Sequence, residues 1–494
     1  MHSSSTHHSP TTPDTMASRR NFFSKMGLGF AQLALGSMLA EEATATEQQA
    51  TEYHVPPRAK SIIWVFLSGG YSHLETFDPK PALNRYAGKT YAETPFENPL
   101  ESPLHRARFR SVPAEEINVR DVYPTIFPMQ VGFRQHGQSG IAITDWWPHL
   151  ARCVDDIAFV RNMWTTDNDH AAENQIHTGR HRLDETQPSI GAWTHFGLGT
   201  INENLPRFVV LGGPTRSDTR PSIDAYYLGP QHAGVPLQIG ASTPLAFGAR
   251  QPQQSALQQA NEFDLVAKLH RLAGAKRPHD EHLRARIQAY DLAFRMQAAV
   301  PDAIELKRET KEVQQLYGLD REETKMAGSR LLGARRLVER GVRFVQVFPS
   351  AYGRWDSHQK LKENHSKMCL SVDKPIAGLL QDLKRRGMMN DVAVVFCTEF
   401  GRTPGLEQRS GGNTGRDHHP NGFTIWMAGA GLKKGHVHGA TDELGYHALG
   451  QGHYVTDLHA TVLHLLGLDS RRLEIPGRKR LDIDRGEVIH DVLS

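Results

Sequence analysis

Cysteine is scarce here: Cys153, Cys369 and Cys397 are the only 3 in 494 residues. An odd number without CxxC spacing argues against a disulfide framework, a Cys-rich structural zinc site and a CxxCH haem attachment. Cys397 falls inside an apolar run and reads as a small core filler. Charge of one sign is lacking too. Basic residues exceed acidic ones by only 3, too few over this length to point to nucleic acid or an anionic membrane. No apolar run beyond the N-terminal region is long enough to span a bilayer. No GxGxxG follows the first apolar run, which argues against a dinucleotide-binding turn.

A hydrophobic fraction of 39% and a charged fraction of 22% are those of a soluble globular protein, and a chain of this length can bury a large core. The N-terminus is the exception. Arg19-Arg20, then Phe22-Phe23, a short Gly-rich apolar stretch and Ala43-Thr44-Ala45 read as a twin-arginine export signal over residues 1–45. A low-complexity Ser, Thr, His and Pro tail precedes it, with Met16 as a second candidate start, and residues 46–60 form a polar linker. The expectation is a protein of the periplasm or exterior, with no stable membrane span after processing. Such signals export folded chains, in keeping with the low cysteine content.

Apolar runs at 61–67, 157–162, 207–211 and 342–348 read as strands, and those at 392–397 and 423–427 as strands buried on both faces. Between about 253 and 341 apolar residues recur at three and four, as at Leu283, Ile287 and Tyr290, which predicts several helices. Residues 374–386 and 457–468 read as further helices, and the Pro-, Arg- and Gly-rich stretch 82–140 as surface loops. Strands alternating with helices predict one α/β domain over 61–494. Its expected form is a three-layer α/β/α sandwich with a mostly parallel central sheet and a helical insertion at about 253–341.

Histidine is in excess, with 27 copies, and many stand beside acids where strands end. His73, Glu75 and Asp78 follow the first run; Asp167, Asp169 and His170 follow the second. Asp356, His358 and His365 follow the run at 342–348. TEFGRTP, with Glu399 and Arg402, follows 392–397, and GRDHHP, with Arg416, Asp417 and His418, precedes 423–427. Open α/β sheets bind ligands at the carboxyl ends of their strands. Mixed carboxylate and imidazole donors suit a divalent ion such as Zn²⁺, Mn²⁺ or Ca²⁺. Arg402 or Arg416 suits bidentate capture of anionic oxygens. His436, His438, His447 and His464 read as surface or hydrogen-bonded structural histidines, and His459 as a helix-packing one.

FLSGGYSHLETFDPKP at 66–81, HTGR at 177–180, PSIGAW at 188–193, WDSH, TEFGRTP, GRDHHP and DLHATVLHLLGLD at 457–469 together resemble the exported bacterial family known as domain of unknown function 1501. That family is similar in fold to the alkaline phosphatase and sulfatase superfamily. The resemblance implies a one- or two-metal hydrolase site at the sheet edge. Glu399 stands where the superfamily places the aspartate of an Asp-His-Gly motif, with Phe400 in place of its histidine. Asp417-His418 resembles a late histidine-ligand segment, and Asp356 with His358 the pair of the other metal position. No aspartate ends the first strand, where His73 is the available substitute. The sulfatase nucleophile signature is absent, leaving Thr165 or Thr166 as candidate hydroxyls. The resulting expectation is an exported hydrolase of phosphate or sulfate esters, its substrate a small-molecule or glycan anionic ester. The metal would be held by some subset of Asp356, His358, Glu399, Asp417 and His418, with His365 and His73 as outer candidates and Arg402 neutralising charge. The alternative is a non-catalytic periplasmic binding protein of the same fold that docks a polysaccharide or a protein partner.

Overall fold

A computed structural model describes residues 53–108, 123–181, 183–213, 221–241, 244–245, 255–277, 280–408 and 414–494. The expected export signal at 1–45 lies outside the described residues. The strands are β1 (Ser61–Phe66), β2 (Phe133–His136), β3 (Ile141–Thr144), β4 (Ile157–Trp164), β5 (Phe208–Leu211), β6 (Val235–Leu237), β7 (Phe344–Val347), β8 (Val392–Cys397), β9 (Gly401–Arg402), β10 (His418–His419), β11 (Phe423–Gly429), β12 (His436–His438) and β13 (His453–Tyr454).

The main sheet runs β12-β4-β11-β8-β1-β7-β5-β6, with β13 also paired to β4. β1 sits at its centre, parallel to β7 with Ile62 beside Phe344, and parallel to β8 with Ser61 beside Val392. Every residue of β1, β5, β7 and β8 is buried, which is why these runs are almost wholly apolar. Alternation then sorts them into two cores. Ile63 and Val65 join the helices Glu322–Glu339 and Leu361–Arg385 on one face. Ile62, Trp64 and Phe66 join Ile190–Leu198 and Val455–Leu465 on the other. The fold is a three-layer α/β/α sandwich. Full burial of each such side chain is worth about 1.5–3 kcal/mol, so the sheet is the rigid element of the molecule.

Of the predicted runs, β11 departs from its neighbours: it lies antiparallel to both β8 and β4. Its N-terminal end therefore stands beside the C-terminal ends of β8, β1 and β4. That reversal brings GRDHHP, which precedes a strand, to the same edge as TEFGRTP, which follows one.

The helix expected at 374–386 begins earlier, at Leu361, and runs through Pro375. Burial of His365, Met368, Cys369 and Val372 on the same face outweighs the loss of one backbone hydrogen bond at the proline. The stretch read as loops at 82–140 contains β2, which pairs with β3 just beyond it, and short helices at Pro81–Arg85 and Pro103–Arg108. Within 253–341, Ala256–Lys276 and Glu281–Ala303 are long helices, while Glu322–Glu339 is a layer helix with eleven buried residues. Among the described residues no helix is long and apolar enough to cross a membrane.

Candidate metal centre at the sheet edge

β1 ends in Ser68-Gly69-Gly70, and the turn depends on glycine. Gly69 has φ +119, and a Cβ there would stand 2.6 Å from the Asp356 backbone nitrogen. The close approach lets the Gly69 N–H donate to Glu399 Oε1 at 2.7 Å. The carbonyls of Gly69 and Gly70 in turn accept from Arg402, whose Nε reaches Gly70 at 2.7 Å. Arg402 also donates to the Arg416 carbonyl at 3.1 Å and to Asp356 Oδ1 at 2.7 Å. Its side chain is 0% exposed. Arg402 thus lies beneath Asp356 and pins it.

Three imidazoles meet that carboxylate from the other side. His170 Nε2 stands 3.0 Å from Asp356 Oδ2. His358 Nε2 and His418 Nε2 stand 3.0 and 3.1 Å from Oδ1. His358 Nε2 and His418 Nε2 are themselves 3.1 Å apart. Each ring turns its Nδ1 to an acceptor behind it. For His418 this is the Asn168 carbonyl at 2.7 Å, for His358 it is Glu407 at 2.6 Å, and for His170 it is Glu399 at 3.4 Å. A carbonyl only accepts, so Nδ1 of His418 carries the proton and its Nε2 is a bare lone pair when the ring is neutral. His170 and His358 have a carboxylate at both ring nitrogens, so Asp356 holds a proton on each Nε2 that a bound cation would displace. Phe400 packs against the His418 ring at 4.4 Å and the His170 ring at 5.9 Å between centroids, which fixes both planes.

The electrostatics follow from this crowding. Burial raises the Asp356 carboxyl, but Arg402 and hydrogen bonds from the three histidines outweigh it and hold the group well below the usual carboxylate range. Burial lowers His170, yet bonding to Asp356 and Glu399 carries it up to about 9. Burial likewise lowers His358, and Asp356 with Glu407 raises it overall. The centre opens on one side: Asp356, His170 and His358 are 24%, 21% and 20% exposed, whereas Glu407 and Glu399 are 0%.

The structure brings Asp356, His358 and His418 together and sets Asp417 beside them, its Oδ1 accepting the His418 N–H at 2.8 Å and lying 3.5 Å from His358 Nδ1. Two donor groups result, His170–Asp356–His418 and His358–Asp417–His418, with atoms within 4.8 Å of one another in each. Glu399 stands behind His170, where it accepts from Gly69 and from Thr398 Oγ1 at 2.9 Å. His73 and His365 are not brought in. The buried His73 ring gives Nε2 to the Gly445 carbonyl at 2.9 Å. His365 accepts the Ser72 N–H at 3.0 Å and bonds Ser357 Oγ through Nδ1 at 3.0 Å. Thr165 donates to Gln175 at 2.6 Å and Thr166 accepts from it at 2.7 Å, so both hydroxyls bond to the helix Ala172–Thr178 that follows their loop. Arg416, read from sequence as a candidate anion clamp, is wholly buried on Glu75 at 2.8 Å and on carbonyls of 127, 128, 403 and 404. It is structural.

His170 was left out of the expected ligand set, although its place in the Asp-Asn-Asp-His run after β4 is the signal that marks it. Glu407, five residues past Arg402, gives no such sign, and the Asn168 carbonyl has none to give.

The model of the family described as protein of unknown function (DUF1501) matches residues 59–493. The chain belongs to that family. No curated protein matches it. Among solved structures it is similar to a protein in the alkaline phosphatase superfamily from Vibrio parahaemolyticus, at 9% identity over 90% of this chain and 75% of that one, TM-score 0.36. It is similar also to a phosphonate monoester hydrolase from Silicibacter pomeroyi, at 12% over 70% and 71%, TM-score 0.33. A sulfatase from Pseudoalteromonas sp. is similar at 11% over 91% and 72%, TM-score 0.33. At these scores none of them assigns a residue or a substrate to this chain.

Proposed function

We propose that this member of the DUF1501 family is an exported, metal-dependent hydrolase of phosphate or sulfate esters, acting on a small-molecule or glycan anionic ester. The observation that carries the reading is the convergence of three imidazole Nε2 atoms on one carboxylate at 3.0–3.1 Å, each ring with its Nδ1 turned to an acceptor. A cation that displaced the Nε2 protons would meet three lone pairs here, and the carboxylate adds more. Such a convergence suits a cation. The nitrogen-rich donor set fits Zn²⁺ or Mn²⁺, while Ca²⁺, which takes oxygen ligands, fits it least. His170, Asp356, His358 and His418 would hold the ion, with Asp417 beside them. When bound, a divalent ion supplies Lewis-acid polarisation of an ester oxygen and makes water more acidic.

The chain's own contribution is preorganisation. Glu407, Glu399 and the Asn168 carbonyl fix the three rings, and Arg402 keeps Asp356 ionised and in place. With Thr165 and Thr166 tied to Gln175, the reading takes water as the nucleophile. Export is supported by the Arg19-Arg20 segment and by three buried, unpaired cysteines, which suit folding before translocation. The test is metal analysis of the purified chain, followed by aryl phosphate and aryl sulfate assays before and after chelation. Bound zinc or manganese, with turnover lost on chelation and restored by the ion, is expected. A metal-loaded protein that cleaves neither ester class overturns the hydrolase reading.

A further inference from the structure

A second histidine pair lies on the edge of the sheet and shares no residue with the centre around Asp356. β12 and β13 both pair with β4, one after the other along it: His438 stands beside Val160 and His453 beside Met163. The two rings meet with their Nε2 atoms 2.8 Å apart. His453 Nδ1 lies 3.0 Å from Asp457 Oδ2, and His438 Nδ1 lies 3.2 Å from Asp491 Oδ2. An ionised carboxylate only accepts, so both Nδ1 atoms carry protons, and the Nε2 atoms of the neutral rings face each other as two bare lone pairs. That contact is repulsive unless a cation lies between them. A carboxylate on Nδ1 is also the arrangement that orients imidazole ligands towards a metal.

Two further observations point to a ligand. Asn162, on β4 between those two pairing positions, keeps a buried Oδ1 without a hydrogen-bond partner. Its amide lies against Gly439, the residue after His438, where a Cβ would stand 2.1 Å from Asn162 Cγ. The histidine side chains are 17% and 21% exposed, which leaves the pair open to an ion from solvent.

We propose that His438 and His453 together bind one borderline divalent transition-metal ion of the zinc, nickel or copper class, with solvent completing its coordination. Imidazole donors favour these ions over magnesium or calcium. The bound ion clips together two short strands whose histidines are 15 residues apart in sequence.

The test is a zinc titration of the full chain beside His438→Ala and His453→Ala, read as equivalents bound and as thermal midpoint. The tail histidines His2, His7 and His8 are common to all three proteins and cancel. Each variant is expected to bind one equivalent fewer than the parent and to lose part of the zinc-dependent rise in midpoint. Asp491→Asn, at a position 72% exposed, keeps both ligands and is expected to weaken this equivalent roughly 10- to 100-fold. Equal stoichiometry in the parent and a folded His438→Ala protein overturns the proposal and leaves a proton shared by the pair. If both alanine variants fail to fold, Asp491→Asn decides, and an unchanged zinc isotherm overturns the site.

Discussion

Glu407→Gln isolates the part of the centre that would reach a bound metal only through another residue. Glu407 Oε2 holds His358 Nδ1 at 2.6 Å and is 0% exposed, while His358 Nε2 faces Asp356 at 3.0 Å. Glutamine keeps the size but removes the charge that holds the Nδ1 proton and leaves Nε2 as the nitrogen that would bind an ion. If its amide turns its N–H₂ towards Nδ1, the imidazole proton moves to Nε2 and points into the centre, so one donor of four is lost. Even with the amide oxygen towards Nδ1, the ring is less basic. Orienting partners of this kind contribute roughly 10- to 100-fold to metal affinity, about 1.4–2.8 kcal/mol. The assay is competition for zinc against a chromophoric chelator, with parent, Glu407→Gln and Asp356→Asn proteins compared at neutral pH. Glu407→Gln should lie between the other two. A Glu407→Gln protein that binds zinc like the parent, while Asp356→Asn has lost it, refutes the reasoning that the ring is held in one tautomer from behind.

Arg416→Met removes the partner of Glu75, both side chains being 0% exposed, and leaves a buried carboxylate uncompensated. The expected loss is about 3–5 kcal/mol, read as a lower urea midpoint, and a shift within error of the parent would refute it. Gly405→Ala places a Cβ 1.8 Å from the Tyr123 carbonyl oxygen. Backbone must move, so a loss of about 1–3 kcal/mol or more is expected in the same assay. Acid sensitivity follows from four buried histidines, His73 and His459 lowered to about 4, and His177 and His365 to about 3, all chiefly by burial. A folded value below the unfolded one means that their stabilisation is full above about pH 6.5 and is lost as pH falls towards 3–4. Near pH 5 each adds about 1.4 kcal/mol per pH unit to the slope, on the order of 5 together. The urea midpoint should fall steeply below 6.5; a midpoint that is flat or rises between 6.5 and 5 contradicts this.

The central strands were legible in the sequence because burial on both faces leaves Ser61 as the one polar residue of β1 and none in β8, and a run of that kind has few other readings. The sheet-edge location of the site was legible for the same reason, since polar residues cluster only where those runs stop. Tertiary structure alone decided the direction of β11, which follows from its pairing with β8 and β4 and not from any feature of Phe423–Gly429. It also decided which histidines face the centre. His73, His170 and His365 look alike in sequence, but the turn after β1 drives His73 inward to the Gly445 carbonyl, while the loop after β4 swings His170 over Asp356. Arg402 and Arg416 were likewise interchangeable on paper. One pins Asp356 and the other neutralises Glu75, because charge complementarity is settled by neighbours distant in the chain. Local sequence fixes periodicity and burial, whereas the partner behind each imidazole is supplied by whichever segment the fold places there.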